Sequence, residues 1–351
     1  MAACSILLAG AGWLDAQEVV SRRVYAEHGR TWRQLWMASG GGVDFRKLTH
    51  SARDHMDPLC SRDGKLIYFV SDRDGDRSLN AYAGANEREL WAFDRQTGQE
   101  RLVWQTSDDD GLHLNGITSD GGVLIRVGTE LRCLLRHPWR IAKIDPLNSA
   151  AALSPDGRTL AIVIAESLDQ EGQSHGAKLF IVDTATGRAR VEVGKYEAPA
   201  WSPDGTRIAA IAEDGPAGLA IIDVATRHEV VRVGWPRRDP LPEDIVWSPD
   251  EKSIVAGLYG DSGGAGDPQQ DYFLLNLAAR TWTSVLTAQK LLWLQGGSLL
   301  YLRPVETTPL VPGSGHNVWT AQLAVFDLKT QKDTQLTTGL VLNDYLSSCG
   351  H

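Results

Sequence analysis

The chain has 351 residues, with 35 Lys and Arg against 44 Asp and Glu, and a net charge of −9. That length is large for one ordinary core but natural for a repeat fold. The acidic balance argues against a general nucleic-acid binder, which needs a basic stripe, and no apolar run approaches the roughly 18 residues of a spanning helix.

In chain order, the first tract is apolar: Ala2 to Trp13, then Leu14-Asp-Ala16 before Gln17-Glu18. It reads as the later part of a secretory signal peptide over residues 1–16, with the start codon upstream of Met1. The other reading is an apolar first strand, for which a Gly-rich alanine tract is poor material. Residues 17–351 then read as a single domain.

Val19–Tyr25, Arg33–Ala38 and Phe45–Leu48 read as strands of a repeat with no first strand in front of them. Leu340–Leu346, at the other end, supplies the missing strand. A unit from about His55 to Trp104 follows, with strands near Pro58–Cys60, Leu66–Ser71, Glu89–Phe93 and Gln99–Val103. A degenerate unit spans about His113–Ile144. Further units cover Ala150–Val193, Ala198–Val233, Asp244–Leu286 and Lys290–Leu336.

One turn punctuates these units: Ser154-Pro-Asp-Gly157, Ser202-Pro-Asp-Gly205, Ser248-Pro-Asp-Glu251 and Ser61-Arg-Asp-Gly64, with Ser119-Asp-Gly-Gly122 and Gln295-Gly-Gly297 as worn copies. Pro presets φ for a type I turn, Asp suits the next position and Gly takes the left-handed one. Glu251 in place of Gly predicts a strained turn. A second turn recurs at Asp94, Asp183, Asp223 and Asp327, each followed by Thr three residues on. There the aspartate bonds its own backbone and is structural rather than catalytic. Self-similarity at about 40–50 residues with all-strand content predicts an all-β fold, a β-propeller. Six units plus one shared between the chain ends give seven blades of about 48 residues; the alternative is six of about 56. Sharing one blade between N- and C-terminal strands closes the ring and removes a sheet edge.

An apolar strand, Ser-Pro-Asp-Gly, a second apolar strand, then Leu-Trp/Phe-x-x-Asp-x-x-Thr-Gly resembles the repeat of TolB-type propellers, the WD40-like β-propeller repeats of bacterial proteins. Arg33–Ser39 with Arg46–Thr49, and Ser71–Gly75, resemble the same family's strands and turns. The resemblance runs from about Gln34 to Thr337. It implies the fold; the matching residues are turns and core, not a site.

The long loops and blade entries fall on one face, opposite the recurrent turns, and that face is the candidate binding face. It carries His55, Asp57, His113, Asn115, His175, Arg237, Arg238, Asp244 and His316, with His50, Arg73 and Glu197 nearby. Two readings stand. In the first, the ring is a non-enzymatic, exported binding module, periplasmic or secreted, monomeric, without cofactor. Its loop face takes a protein or peptide, or a glycan, and no nucleic acid. In the second, His55 and His113 hold a divalent metal at the channel, as in the similar propeller oligogalacturonate lyases, for lyase or hydrolase chemistry on an acidic sugar or lactone. Arg73, Arg237 and Arg238 would meet the anionic substrate. A third reading is that the chain is a piece or relative of a larger exported enzyme.

Asp108-Asp-Asp110 lacks the alternating spacing of a calcium loop. Gly260-Asp-Ser-Gly-Gly264 spells a protease nucleophile segment around Ser262 without the partners that chemistry needs. Of the four cysteines, Cys60, Cys133 and Cys349 remain beyond the first tract, an odd number. They read as free, buried small residues. A Cys60–Cys349 bridge between first and last repeats is the alternative in an exported chain.

Overall fold

The computed structural model describes residues 18–24, 32–39, 44–51, 53–72, 87–107, 111–145, 150–170, 174–188, 190–238, 242–259, 270–294, 296–306, 319–338 and 341–348. Residues 1–16, 108–110 and 260–264, and Arg73, His316 and Cys349, lie outside them. Among the described residues all regular structure is β, in seven four-stranded antiparallel blades and one small hairpin, Ser167–Leu168 with Ser174–His175. Among the described residues no helix is long and apolar enough to cross a membrane.

Blade 1 joins the two chain ends. Its inner strand is Val341–Ser348, followed outward by Glu18–Val24, Gln34–Ser39 and Asp44–Lys47. Glu18 pairs with Ser348 and Val24 with Val341, antiparallel. Blades 2 to 7 follow in sequence, and their inner strands are His55–Cys60, Leu112–Ile117, Ala151–Leu153, Tyr196–Trp201, Pro242–Trp247 and Lys290–Leu294. The unit read as degenerate is an ordinary blade 3. Its turn is shifted by one residue: Thr118, not Ser119, takes the Ser role, with its Oγ1 bonded to Asp120 Oδ1 and its carbonyl accepting from Gly121 N at 3.0 Å.

The core lies between blades. Leu124, Ile162 and Ile208 pack across blades 3, 4 and 5, while Val19, Leu35, Ile67 and Phe69 join blades 1 and 2. Leu219, Trp247 and Ile254 join 5 to 6, Val255, Tyr272 and Leu299 join 6 to 7, and Phe45 packs on Leu294 and Leu300 where blade 7 meets blade 1. Middle strands are therefore covered on both faces and read as continuous apolar runs, such as Thr159–Ile164.

The turn chemistry is as the sequence dictates. Ser202 Oγ meets Asp204 Oδ1 at 2.6 Å, Gly205 N donates to Ser202 O at 2.9 Å, and Gly205 sits at φ 72. Glu251 adopts φ 59, a left-handed conformation that costs a non-glycine residue about 1 kcal/mol or more. Its side chain recovers part of that cost. It pairs with Arg207 at 2.7 Å and accepts from Asp204 N at 2.8 Å, clamping the blade 6 turn to blade 5. Asp94, Asp183, Asp223 and Asp327 each accept backbone N–H bonds from residues two or three positions on.

A tryptophan ladder joins successive inner strands. Trp201 Nε1 donates to Ala152 O at 2.9 Å, Trp247 Nε1 to Ala200 O at 3.0 Å and Trp293 Nε1 to Val246 O at 3.3 Å. Cys60 occupies the matching position in blade 2. The expectation of free cysteines fails there: Cys60 is disulfide-bonded, and its partner lies outside the described residues. Cys133 is free and buried, its thiol pushed up to about 11 by burial and the nearby Asp120.

Two outcomes follow. Trp247→Phe, which keeps an aromatic ring but loses the indole N–H and some volume, lowers unfolding free energy by about 1–2 kcal/mol. Trp247→Ala lowers it by about 3–5 kcal/mol, both read from urea melts. The unreduced, denatured full chain titrates two free thiols rather than the four its sequence contains; four would refute the bridge.

Candidate functional site at the loop face

Inner strands enter the ring at the loop face, and five of them bulge. The irregularities fall between Met56 and Leu59, Leu114 and Gly116, Glu197 and Ala200, Pro242 and Asp244, and, in Val341–Ser348, between Asp344 and Leu346. An extra residue in one strand re-aims side chains and frees backbone groups. Asp57 at φ 50 and Ala198 at φ 47 mark the bend in blades 2 and 5.

Asp57 Oδ2 accepts from Leu114 N at 2.7 Å, so this carboxylate ties blade 2 to blade 3. Asn115, in the blade 3 bulge, is half-buried, and its Oδ1 has no partner among the described residues. His55 is 1% exposed. Its ring lies 4.5 Å from that of Phe69, Nε2 meets Ser51 Oγ at 2.7 Å, and its carbonyl accepts from Ser21 Oγ of blade 1. Burial first, then Arg53 and Lys47, drives its pKa down to about 3, so the imidazole is neutral at any physiological pH.

His113 pairs across the strands with Arg126, and burial followed by that guanidinium lowers its pKa. Arg126 is buried inside an otherwise apolar strand, Val123–Val127, and Asp145 is the carboxylate that favours its charge. Asp145 is 2% exposed and accepts a hydrogen bond from Ser174 Oγ. Its charge also reaches Glu197, half-buried at the entry of blade 5, which hydrogen-bonds exposed Glu213. Burial, then Glu213 and Asp145, raises the Glu197 carboxyl to about 7. Glu197 therefore keeps its proton up to about neutrality, within hydrogen-bond reach of Glu213.

Elsewhere the predicted residues hold the blades. Asp244 accepts from Tyr272 OH at 2.9 Å and from Lys290 Nζ of blade 7 at 3.0 Å. Arg237 pairs with Asp271, which also accepts from Thr287 Oγ1 at 2.6 Å, and stacks on Phe273 at 5.0 Å. Arg238 is exposed. His175 stands out in a small hairpin, 62% exposed, 3.3 Å from Asp169. Among the described residues, no three His, Cys, Asp or Glu side chains converge as a metal cage.

Two members of this chain of charges, Arg126 and Asp145, were not picked from the sequence. Arg126 left a signal: a charged residue inside Val-Leu-Ile-Arg-Val is buried only with a partner. Asp145 left none, because it meets Arg126 and Glu197 only when blades 3, 4 and 5 assemble.

No protein-family model and no curated protein matches the sequence. Solved structures do. TolB from Acinetobacter baumannii is 11% identical over 96% of this chain and 67% of that one, with a TM-score of 0.54. The fold is a β-propeller. A candidate 6-phosphogluconolactonase from Bacteroides uniformis shares the ring with 14% identity, 95% and 99% coverage and a TM-score of 0.57. An oligogalacturonate lyase from Vibrio parahaemolyticus does so at 13% identity, 91% and 86% coverage and 0.54. Identities this low carry the propeller architecture and nothing of the chemistry at its face.

The raised Glu197 carboxyl has a measurable consequence. The folded chain holds its proton between about pH 4.5 and pH 7 where the unfolded chain does not, so stability falls as pH rises through that window. Glu197→Gln removes this cost. At pH 8 it is more stable than the parent by about 1–2 kcal/mol, a figure reduced for solvent screening, and the gain vanishes at pH 4. Urea melts at the two pH values measure it; an equal effect at both would reject the assignment.

Proposed function

We propose that this chain is an exported binding module that presents its loop face to a protein or peptide partner and does no covalent chemistry. The observation that carries this reading is how the ionisable residues of that face are engaged. Asp57 bonds the Leu114 backbone of the next blade, Asp244 bonds Tyr272 and Lys290, and Arg237 bonds Asp271. His55 is buried, neutral and packed on Phe69. Residues spent on joining blades give a rigid rim, and a rigid rim lowers the ordering cost of association. The structural neighbours include TolB, a lactonase and a lyase, so the same ring serves as scaffold for more than one use.

Export is supported by two features. The N-terminal tract has the makeup of a signal peptide. The bridged Cys60 belongs with an oxidising compartment, since cytosolic thiols are kept reduced.

A second reading, a metal-assisted lyase or hydrolase on an acidic sugar or lactone, draws on Glu197, whose carboxyl near 7 suits a general acid or base. One pair of measurements separates the two. Purified protein, with and without added divalent metal, is assayed on oligouronates and sugar lactones; the expected result is no turnover and no stoichiometric metal. The same protein retains a partner from an envelope extract, and Arg238→Glu, at an exposed position, reduces that capture by about tenfold or more while folding is unchanged. Turnover lost in His113→Ala or Glu197→Gln would replace the binding reading with the enzymatic one.

A further inference from the structure

The opposite face, where the recurrent turns lie, carries a cleft of about 700 Å3 between blades 3 and 4. Blade 3 contributes His137, Pro138, Trp139 and Arg140, at the start of its outermost strand Trp139–Ala142. Blade 4 contributes Arg188 and Arg190 beyond the turn at Asp183. The guanidiniums of Arg188 and Arg190 line it with His137 beside them, and among the described residues no carboxylate does; Arg140, next to Trp139 in the strand, turns its side chain to the other face of the sheet, toward Glu130 and Arg132. In a chain of net charge −9 this is a local inversion of sign.

The cations are available. Arg188 and Arg190 have no ion pair among the described residues. The wall beside them is rigid. Trp139 Nε1 donates to Thr184 O at 2.8 Å, and Gly187, at φ 63, lies so close that a Cβ there would come within 2.5–2.9 Å of the indole carbons. The indole is thus fixed across the blade junction, one side against backbone, rather than standing open as a platform for a sugar ring. Beside it, Trp139–Ala142 is the last strand of its sheet, so alternate N–H and C=O groups along it have no neighbouring strand. Such an edge offers hydrogen bonds to another extended backbone.

We propose that this cleft docks an extended acidic peptide segment of a partner protein, its carboxylates on Arg188 and Arg190 and its backbone along the edge of Trp139–Ala142. The site is separate from the loop face and independent of the function proposed for it. Guanidiniums suit carboxylates because they present paired donors in a plane. Peptide is favoured over an anionic glycan by the free sheet edge and by the pinned indole.

The test uses the full chain and a fluorescein-labelled ten-residue peptide of alternating Asp and Ser, followed by fluorescence anisotropy at about 20 and 150 mM salt, since screening weakens exposed pairs. Saturable binding is expected, weakened about tenfold or more by Arg188→Glu with Arg190→Glu and unchanged by Arg238→Glu on the other face. Thermal melts confirm that each variant folds. An Asn-Ser peptide of the same length is expected not to bind. The proposal is overturned if the acidic peptide fails to bind, if the neutral peptide binds equally, or if the double charge reversal leaves affinity unchanged. It is also overturned if oligogalacturonate of equal charge binds the same residues at least tenfold more tightly, which would make the cleft a glycan site.

Discussion

The antiparallel pairing of Glu18–Val24 with Val341–Ser348 is the contact on which the rest depends. Each blade is a sheet with two apolar faces, and a sheet of that kind is stable only when both are covered. In a ring every blade is covered by its two neighbours, but only if the last blade meets the first. Building blade 1 from both ends of the chain makes closure a matter of backbone hydrogen bonds as well as side-chain packing. The bridged Cys60, on the inner strand next to that blade, adds a covalent restraint beside the seam.

Between blades the same problem is solved repeatedly with small variations. An indole N–H reaches the previous inner strand from Trp201, Trp247 and Trp293, and an arginine lies over the ring of Trp247 at 4.8 Å. Glu251 shows how a departure from the repeat becomes useful. It forces a left-handed backbone where glycine stands elsewhere, yet its carboxylate binds Arg207 and the neighbouring turn. The charges of the loop face obey the same logic, most of them being bonds between blades before they are anything else. Glu197 with Glu213 departs from it, since two carboxyl groups there repel each other beside a third, Asp145.

The two faces differ in character. Among the described residues the loop face carries both signs, and Asp57, Asp244 and Arg237 are committed to bonds with their neighbours. The turn face between blades 3 and 4 holds arginines of one sign against a fixed indole. That asymmetry follows from where the chain can vary, since a propeller fixes its strands by packing and leaves side chains beside the turns to other uses.

The repeat was legible in the sequence because turns are local. Pro, Asp and Gly set backbone angles through their own covalent geometry, so Ser202-Pro-Asp-Gly205 announces its shape without help from the rest of the chain. The same holds for the apolar runs between turns, and together they indicated the all-β ring and the shared closing blade, while the choice of seven blades over six was settled by the strand pairing. The site was legible only as a face. Which residues meet there depends on blade-to-blade contacts between positions far apart in sequence, such as Asp57 with the Leu114 backbone or Asp145 with Arg126 and Glu197. His55 shows the limit most plainly: its position in the chain marks it as a face residue, and only the packing of Phe69 against it decides that it is buried and neutral. Local covalent preference wrote the architecture into the sequence, whereas burial and charge, being properties of assembled neighbours, were decided by the tertiary structure.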